Sequence, residues 1–178
     1  MILQTPRLRL REAEASDAPF VLELLNSPGF IRGIGDRGVR TEAEAAAYVE
    51  NRIRQSYAEH GYGMWVVEPL EEPVAIGLAG LVRRDVLNHV DLGYAFLDRV
   101  WGQGYAEEAG RAVRDYAGRV LGLETLAAIV NPDNLASRRV LEKIGFRFID
   151  ERWLPGWPQP SAYYETSHHV GADHHANR

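Results

Sequence analysis

The sequence predicts one domain of α/β class (α+β, with a mixed sheet). Three observations predict it. β-rich runs alternate with longer helical patterns, the order reads β-α-α-β-β-β-α-β-α-β-β, and no repeat, charge block or long linker divides the chain. Its 178 residues suit one domain, for which about 100 to 200 residues is usual.

Leu8 and Leu10 alternate with arginines, as in a short first strand. Ser16 and Asp17 supply helix-start chemistry ahead of Phe20, Val21, Leu24 and Leu25, and Asn26-Ser27-Pro28-Gly29 stops that helix. A glycine-rich loop from Gly29 to Gly38 leads to Thr41 and Glu44, spaced as a capping box, and to an alanine-rich helix ending near His60-Gly61. Tyr62 to Glu68 and Val74 to Val82 read as a hairpin, and Val90 to Leu97 as a further strand. From Gly104 to Leu121, Ala106, Ala109, Val113, Tyr116, Ala117 and Val120 fall on one helical face, and Gly122 stops the pattern. Thr125 to Val130 is a strand, and Asn134 opens a helix that Gly145 closes. Strands from Phe146 and from Ala162 to Thr166 finish a domain spanning 1–166. Residues 167–178 are read as a disordered polar tail. Its His168, His169, His174 and His175 are spaced so that they could collect a metal ion, but without apolar anchors no metal site is assigned.

Absence of cysteine removes disulfides, thiolate metal sites and a cysteine nucleophile. A net charge of −5 argues against nucleic-acid binding as the main task. Neither a signal-peptide pattern nor a membrane-length apolar run is present, so a cytoplasmic location is expected.

The most informative stretch is Val90-Asp91-Leu92-Gly93-Tyr94-Ala95-Phe96-Leu97-Asp98-Arg99-Val100-Trp101-Gly102-Gln103-Gly104-Tyr105-Ala106. A strand passes through a glycine turn into a helix, so main-chain N–H groups and the positive end of the helix dipole converge where a phosphate would bind. Gly102 and Gly104 let the backbone approach, and Ala106 keeps the first helical turn close. The same letters also describe a plain turn. No Lys-Ser/Thr pair follows the glycines and no third glycine has dinucleotide spacing, which counts against ordinary nucleotide readings. Downstream, Asn131 to Phe146 reads on its own as a capped helix, with Asn134 at its start and Gly145 at its end.

Together, in this order, the two stretches resemble the GNAT superfamily of N-acetyltransferases. Its coenzyme A loop is written Gln/Arg-x-x-Gly-x-Gly/Ala. Trp101 to Ala106 occupy those six positions, with Trp101 departing from Gln or Arg; a second register, from Arg99 through Gly102 and Gly104, also fits. The downstream match is Asn-x-x-Ser through Glu-Lys-x-Gly-Phe. The Trp-Gly-x-Gly-Tyr-Ala pattern is similar to the branch of ribosomal-protein N-terminal acetyltransferases. The specific part of the resemblance runs from Asp91 to Phe146.

The resemblance implies two splayed central strands, Val90–Leu97 and Thr125–Val130, that admit the pantetheine arm of acetyl-coenzyme A, the cosubstrate. It places Phe96, Leu97 and Val100 along that arm, Trp101, Gly102, Gln103, Gly104, Tyr105 and Ala106 around the pyrophosphate, and Asn134 near the thioester. It implies direct attack by a primary amine, on a protein N-terminus or a small molecule, without a covalent enzyme intermediate. Asp91 is the candidate general base, against a solvated strand-edge carboxylate, with Glu151 as second choice. Many relatives carry a tyrosine seven residues after the asparagine to serve the departing thiolate; Leu141 stands there, and Ser137 is the candidate instead, against a plain helix-start hydroxyl. With the catalytic set incomplete, a non-catalytic coenzyme A sensor is the alternative, and a phosphate loop for another nucleotide is a weaker one. A monomer or homodimer is expected, with no membrane partner. Trp153 to Pro160 and the loop Gly29–Gly38 are expected beside the acceptor cleft, or as packed loops.

Overall fold

The computed structural model describes residues 1–167. The histidines at 168, 169, 174 and 175 lie outside the described residues. A two-residue strand β1 (Leu3–Gln4) precedes the expected first strand and pairs with it as β2 (Leu8–Arg11). Two residues are too few for alternation to register. Helix α1 (Ala18–Leu25) buries Ala18, Val21, Leu24 and Leu25. The segment expected as a glycine loop then contains α2 (Pro28–Gly33), started by Ser27, whose side chain accepts the Phe30 N–H. Beyond it, α3 (Glu42–Tyr48) and α4 (Gln55–His60) are joined without a break by a π-helical segment, Val49–Arg54. Half of the expected capping box forms: Glu44 N–H donates to Thr41 Oγ1 at 3.1 Å, while the Glu44 carboxylate accepts from the Thr41 hydroxyl at 3.2 Å. Gly61, at φ +77°, ends the run in the left-handed region that a side chain would disfavour.

Strands β3 (Met64–Pro69) and β4 (Gly77–Val82) form the hairpin, and β4 begins later than its apolar letters suggested. β5 (Val90–Phe96) precedes α5 (Tyr105–Arg119), then β6 (Thr125–Val130), α6 (Leu135–Lys143), β7 (Arg147–Arg152) and β8 (Ser161–Ser167) follow. They make one eight-stranded sheet, ordered β1-β2-β3-β4-β5-β6-β8-β7. Every pairing is antiparallel except β5 with β6. β8, though later in sequence, is inserted between β6 and β7.

Period-two alternation sorts the side chains onto the two faces. Trp65, Val67, Ala79, Leu81, Leu92 and Phe96 pack with Ala109, Val113 and Ala117 of α5 and Leu141 of α6. Val66, Leu78 and Leu97 pack on the other face with residues of α1 and α3. A smaller cluster of Leu87, Ala127, Leu154 and Tyr163 lies on that second face, under the loops before β5 and after β7. Each fully buried Leu or Val here contributes on the order of 2 kcal/mol. Gly110 matters to the helix layer, because a Cβ there would stand 3.0 Å from Ile144 Cδ1. The two helices therefore approach closely beneath the parting of β5 and β6.

Candidate active site

The parallel pair sets the site. β5 and β6 are registered at Val90 with Leu126 and at Asp91 with Ala127, and the pairing ends there. Beyond Asp91 the strands part, as the splayed arrangement requires. On its other side β5 stays paired with β4 as far as Phe96 opposite Gly77. Leu97 N–H continues that ladder by donating to Ile76 O at 2.9 Å. Antiparallel hydrogen bonding alternates, so the main-chain groups of Tyr94 and Phe96 face the gap, while the Leu97 amide does not. The Leu97 carbonyl accepts from Val100 N–H at 3.0 Å, which turns the chain into the loop.

Within that loop Gly102 and Gly104 have φ of +79° and +80°, a pair of left-handed residues that only glycine adopts without strain. Gly104 caps α5 with no side chain accepting from the first turn, so its leading N–H groups are open to a ligand. Trp101 turns its indole back, Nε1–H donating to Phe96 O at 3.0 Å. The same ring covers Gly29 at the start of α2, where a Cβ would meet it at 2.2 Å. Asp98 Oδ2 accepts Gly29 N–H at 3.2 Å, fastening α2 to the loop. At the far end of α2, a Cβ on Gly33 would lie 3.6 Å from Asn134 Nδ2. The helix thus bridges the cofactor loop and the start of α6.

Asn134 is the N-cap of α6, its Oδ1 accepting Ser137 N–H at 3.1 Å. Ser137 Oγ lies 2.8 Å from Tyr94 Oη, a pairing the sequence reading did not include. Burial pushes the Tyr94 hydroxyl up to about 12, partly offset by its bond to Ser137, so it keeps its proton at neutral pH. Tyr94 shares the face of Leu92 and Phe96, and that regular alternation is the signal that could have aimed it at α6.

Asp91 points to the opposite face. Its side chain is 4% exposed, and Arg84 Nε donates to Oδ2 at 2.8 Å. Oδ1 is buried with no hydrogen-bond partner. Burial pushes the carboxyl up to about 6, against the charge and hydrogen bond of Arg84, which act to lower it. The solvated strand-edge reading is therefore overturned, because the residue sits where the sheet forks and not at an edge. The Arg84 guanidinium lies 5.4 Å from the Trp157 ring centroid. Glu151 is exposed on β7, and Leu141 is core. In the segment Trp153 to Pro160, Leu154 is buried with Trp157 against it, whereas Trp153 is 72% exposed.

Residues 7–147 match the family model described as the Acetyltransferase (GNAT) domain. The chain belongs to the GNAT acetyltransferase family. Among its relatives is the uncharacterised protein YkkB of Bacillus subtilis, 34% identical over 168 residues, 92% of this chain and 94% of that one. The uncharacterised N-acetyltransferase YnaD of the same organism is 31% identical over 147 residues, 83% of each chain. In fold the GNAT chain is similar to RimL, a ribosomal L7/L12 alpha-N-protein acetyltransferase solved in complex with coenzyme A, at 19% identity. That likeness has a TM-score of 0.79 and covers 93% of this chain and 97% of RimL. As a GNAT N-acetyltransferase, the protein uses acetyl-coenzyme A as its cosubstrate. Among the described residues no helix is long and apolar enough to cross a membrane.

Proposed function

We propose that this enzyme acetylates a protein N-terminus or a small primary amine in the cytoplasm, with the fork between β5 and β6 holding the thioester. The observation that carries the reading is the parting of the two strands immediately after Asp91, beside the Gly102–Gly104 loop. The N–H groups from Gly102 to Ala106 receive the diphosphate, the Trp101 N–H being turned to Asp98 O at 3.2 Å. The gap-facing groups of Tyr94 and the Phe96 N–H pair with the pantetheine amides, the Phe96 carbonyl being held by Trp101, and Asn134 lies at the thioester end.

Two kinds of polar group flank the gap, one on each face of the sheet. Asp91, ionised above about 6, takes a proton from the ammonium through water, leaving the neutral amine to attack the carbonyl carbon. As the tetrahedral intermediate collapses, the C–S bond breaks. The thiolate then takes the Ser137 proton, which the Tyr94 hydroxyl 2.8 Å away can replace, and the second proton of the attacking nitrogen, shed as the neutral amide forms, returns through water to that hydroxyl pair. No covalent bond to the protein forms. RimL's acceptor, a ribosomal protein, supports placing a protein terminus first. Trp157 and Arg84 stand on the amine side and shape what reaches Asp91.

A thiol-release assay with acetyl-coenzyme A, run against peptides with free N-termini, polyamines and aminoglycosides, tests this. Release that depends on a peptide amine supports the reading. If no amine in the panel stimulates release by protein that binds the cofactor, it fails.

A further inference from the structure

Arg7 lies far in sequence from the cofactor loop and belongs to neither motif. Its Nη1 donates to Gln103 O at 2.9 Å. Its Nε donates to Glu108 Oε1 at 2.7 Å. Its main-chain N–H reaches Glu108 Oε2 at 3.0 Å, and Thr5 Oγ1 donates to the same oxygen. The guanidinium carbon stands 4.6 Å above the Tyr105 ring. Thus the turn between β1 and β2 is fixed to the loop and to the first turn of α5 from outside the cofactor gap.

Resting on the proposed diphosphate role of that loop, we propose that Arg7 is a positioning residue that presets the Gln103–Gly104 peptide for the cofactor. In a trans peptide the C=O and the following N–H point in opposite directions. Arg7 grips the Gln103 carbonyl on one side, which turns the Gly104 N–H to the other. Without that grip the Gln103–Gly104 peptide can flip, because Gly104, which takes the φ change, tolerates either sign of φ. A flipped peptide would present a carbonyl oxygen to an anion. The second contribution is electrostatic. Glu108, in the first turn of α5, would repel a diphosphate at the helix start, and the Arg7 ion pair neutralises it locally.

The test uses the full chain and coenzyme A as the calorimetric probe, with circular dichroism confirming that each variant is folded. Arg7→Ala is expected to weaken coenzyme A binding about tenfold, the scale of one hydrogen bond to a charged group. Arg7→Lys, which keeps a cationic donor for the carbonyl, should recover most of that loss. An alanine variant that melts earlier yet binds coenzyme A within about twofold of the parent overturns the proposal, leaving Arg7 a fastener of the N-terminal turn. A lysine variant no better than alanine overturns it too. Amide resonances separate this inference from its foundation. If Gly104 N–H shifts when coenzyme A is added to the parent protein, the loop reading stands whatever the Arg7 variants do. If Gly104 is unmoved, both fall.

Discussion

The two faces of the sheet at the fork of β5 and β6 are chemically unlike. On the α5/α6 face the polar groups are neutral hydroxyls, Tyr94 and Ser137, bonded to each other and held by a helix cap. On the opposite face they are charged, Asp91 with Arg84, and one carboxylate oxygen has no partner. Residues three apart on one strand point to opposite sides, so a single strand delivers both Asp91 and Tyr94 to the same gap. The difference teaches how one opening serves two proton transfers of opposite sense. A group poised near neutrality accepts, and a hydroxyl that stays protonated donates.

The largest test of that division is Asp91→Asn, expected to lower kcat about a hundredfold or more, the usual range for a general base. In the parent enzyme the rate should climb as pH rises through about 6, where the carboxylate becomes able to accept a proton. In the variant that limb should vanish from the pH profile. A retained limb would move the base elsewhere.

The same carboxyl should appear in stability. Its folded value, about 6, lies above the ordinary 3.8, so between those values the folded state binds more protons than the unfolded one. Stability from this group is present below the lower value and is lost as pH rises through the upper. From about pH 4 to 7, the stability of the parent relative to Asp91→Asn should fall by on the order of 3 kcal/mol, measurable by urea unfolding. A difference independent of pH would mean that Asp91 is not held in a desolvated site.

On the hydroxyl face, Ser137→Ala should reduce kcat about tenfold. Tyr94→Phe should cost less. Because the two act as one relay, the double variant should be no slower than Ser137→Ala alone. Multiplicative losses would show that they work separately. The smallest effect is expected from Trp101→Phe, which removes the indole donor from Phe96 O. Coenzyme A affinity should change about threefold, the worth of one neutral hydrogen bond, and calorimetry would read it.

The architecture of the helices and of the cofactor loop was largely readable from the letters. Asn134, Gly145 and the apolar spacing of α5 carry local signals that tertiary structure did not override. The helix α2 was not readable. Its letters Pro-Gly-Phe-Ile-Arg-Gly have poor helix propensity, and its place depends on Ser27, Asp98 and the Trp101 ring, two of them far along the chain. The depth of Asp91 was equally hidden. Alternation tells which face a residue takes, but burial there depends on which strand pairs next and where that pairing stops. Alternation sets the face that Tyr94 takes, but its partner Ser137, like Gln103 for Arg7, lies on a distant segment that no local pattern names.

The insertion of β8 between β6 and β7 bears on how the molecule is made. Of the described strands, the one synthesised last fills an interior slot, so β6 and β7 leave the ribosome with no neighbour between them. Until that segment emerges, each carries unpaired N–H and C=O groups along an open edge, the condition that invites pairing with another nascent chain. Completion of this half of the sheet therefore waits on the emergence of β8, and the small cluster around Ala127 and Tyr163 can form only then.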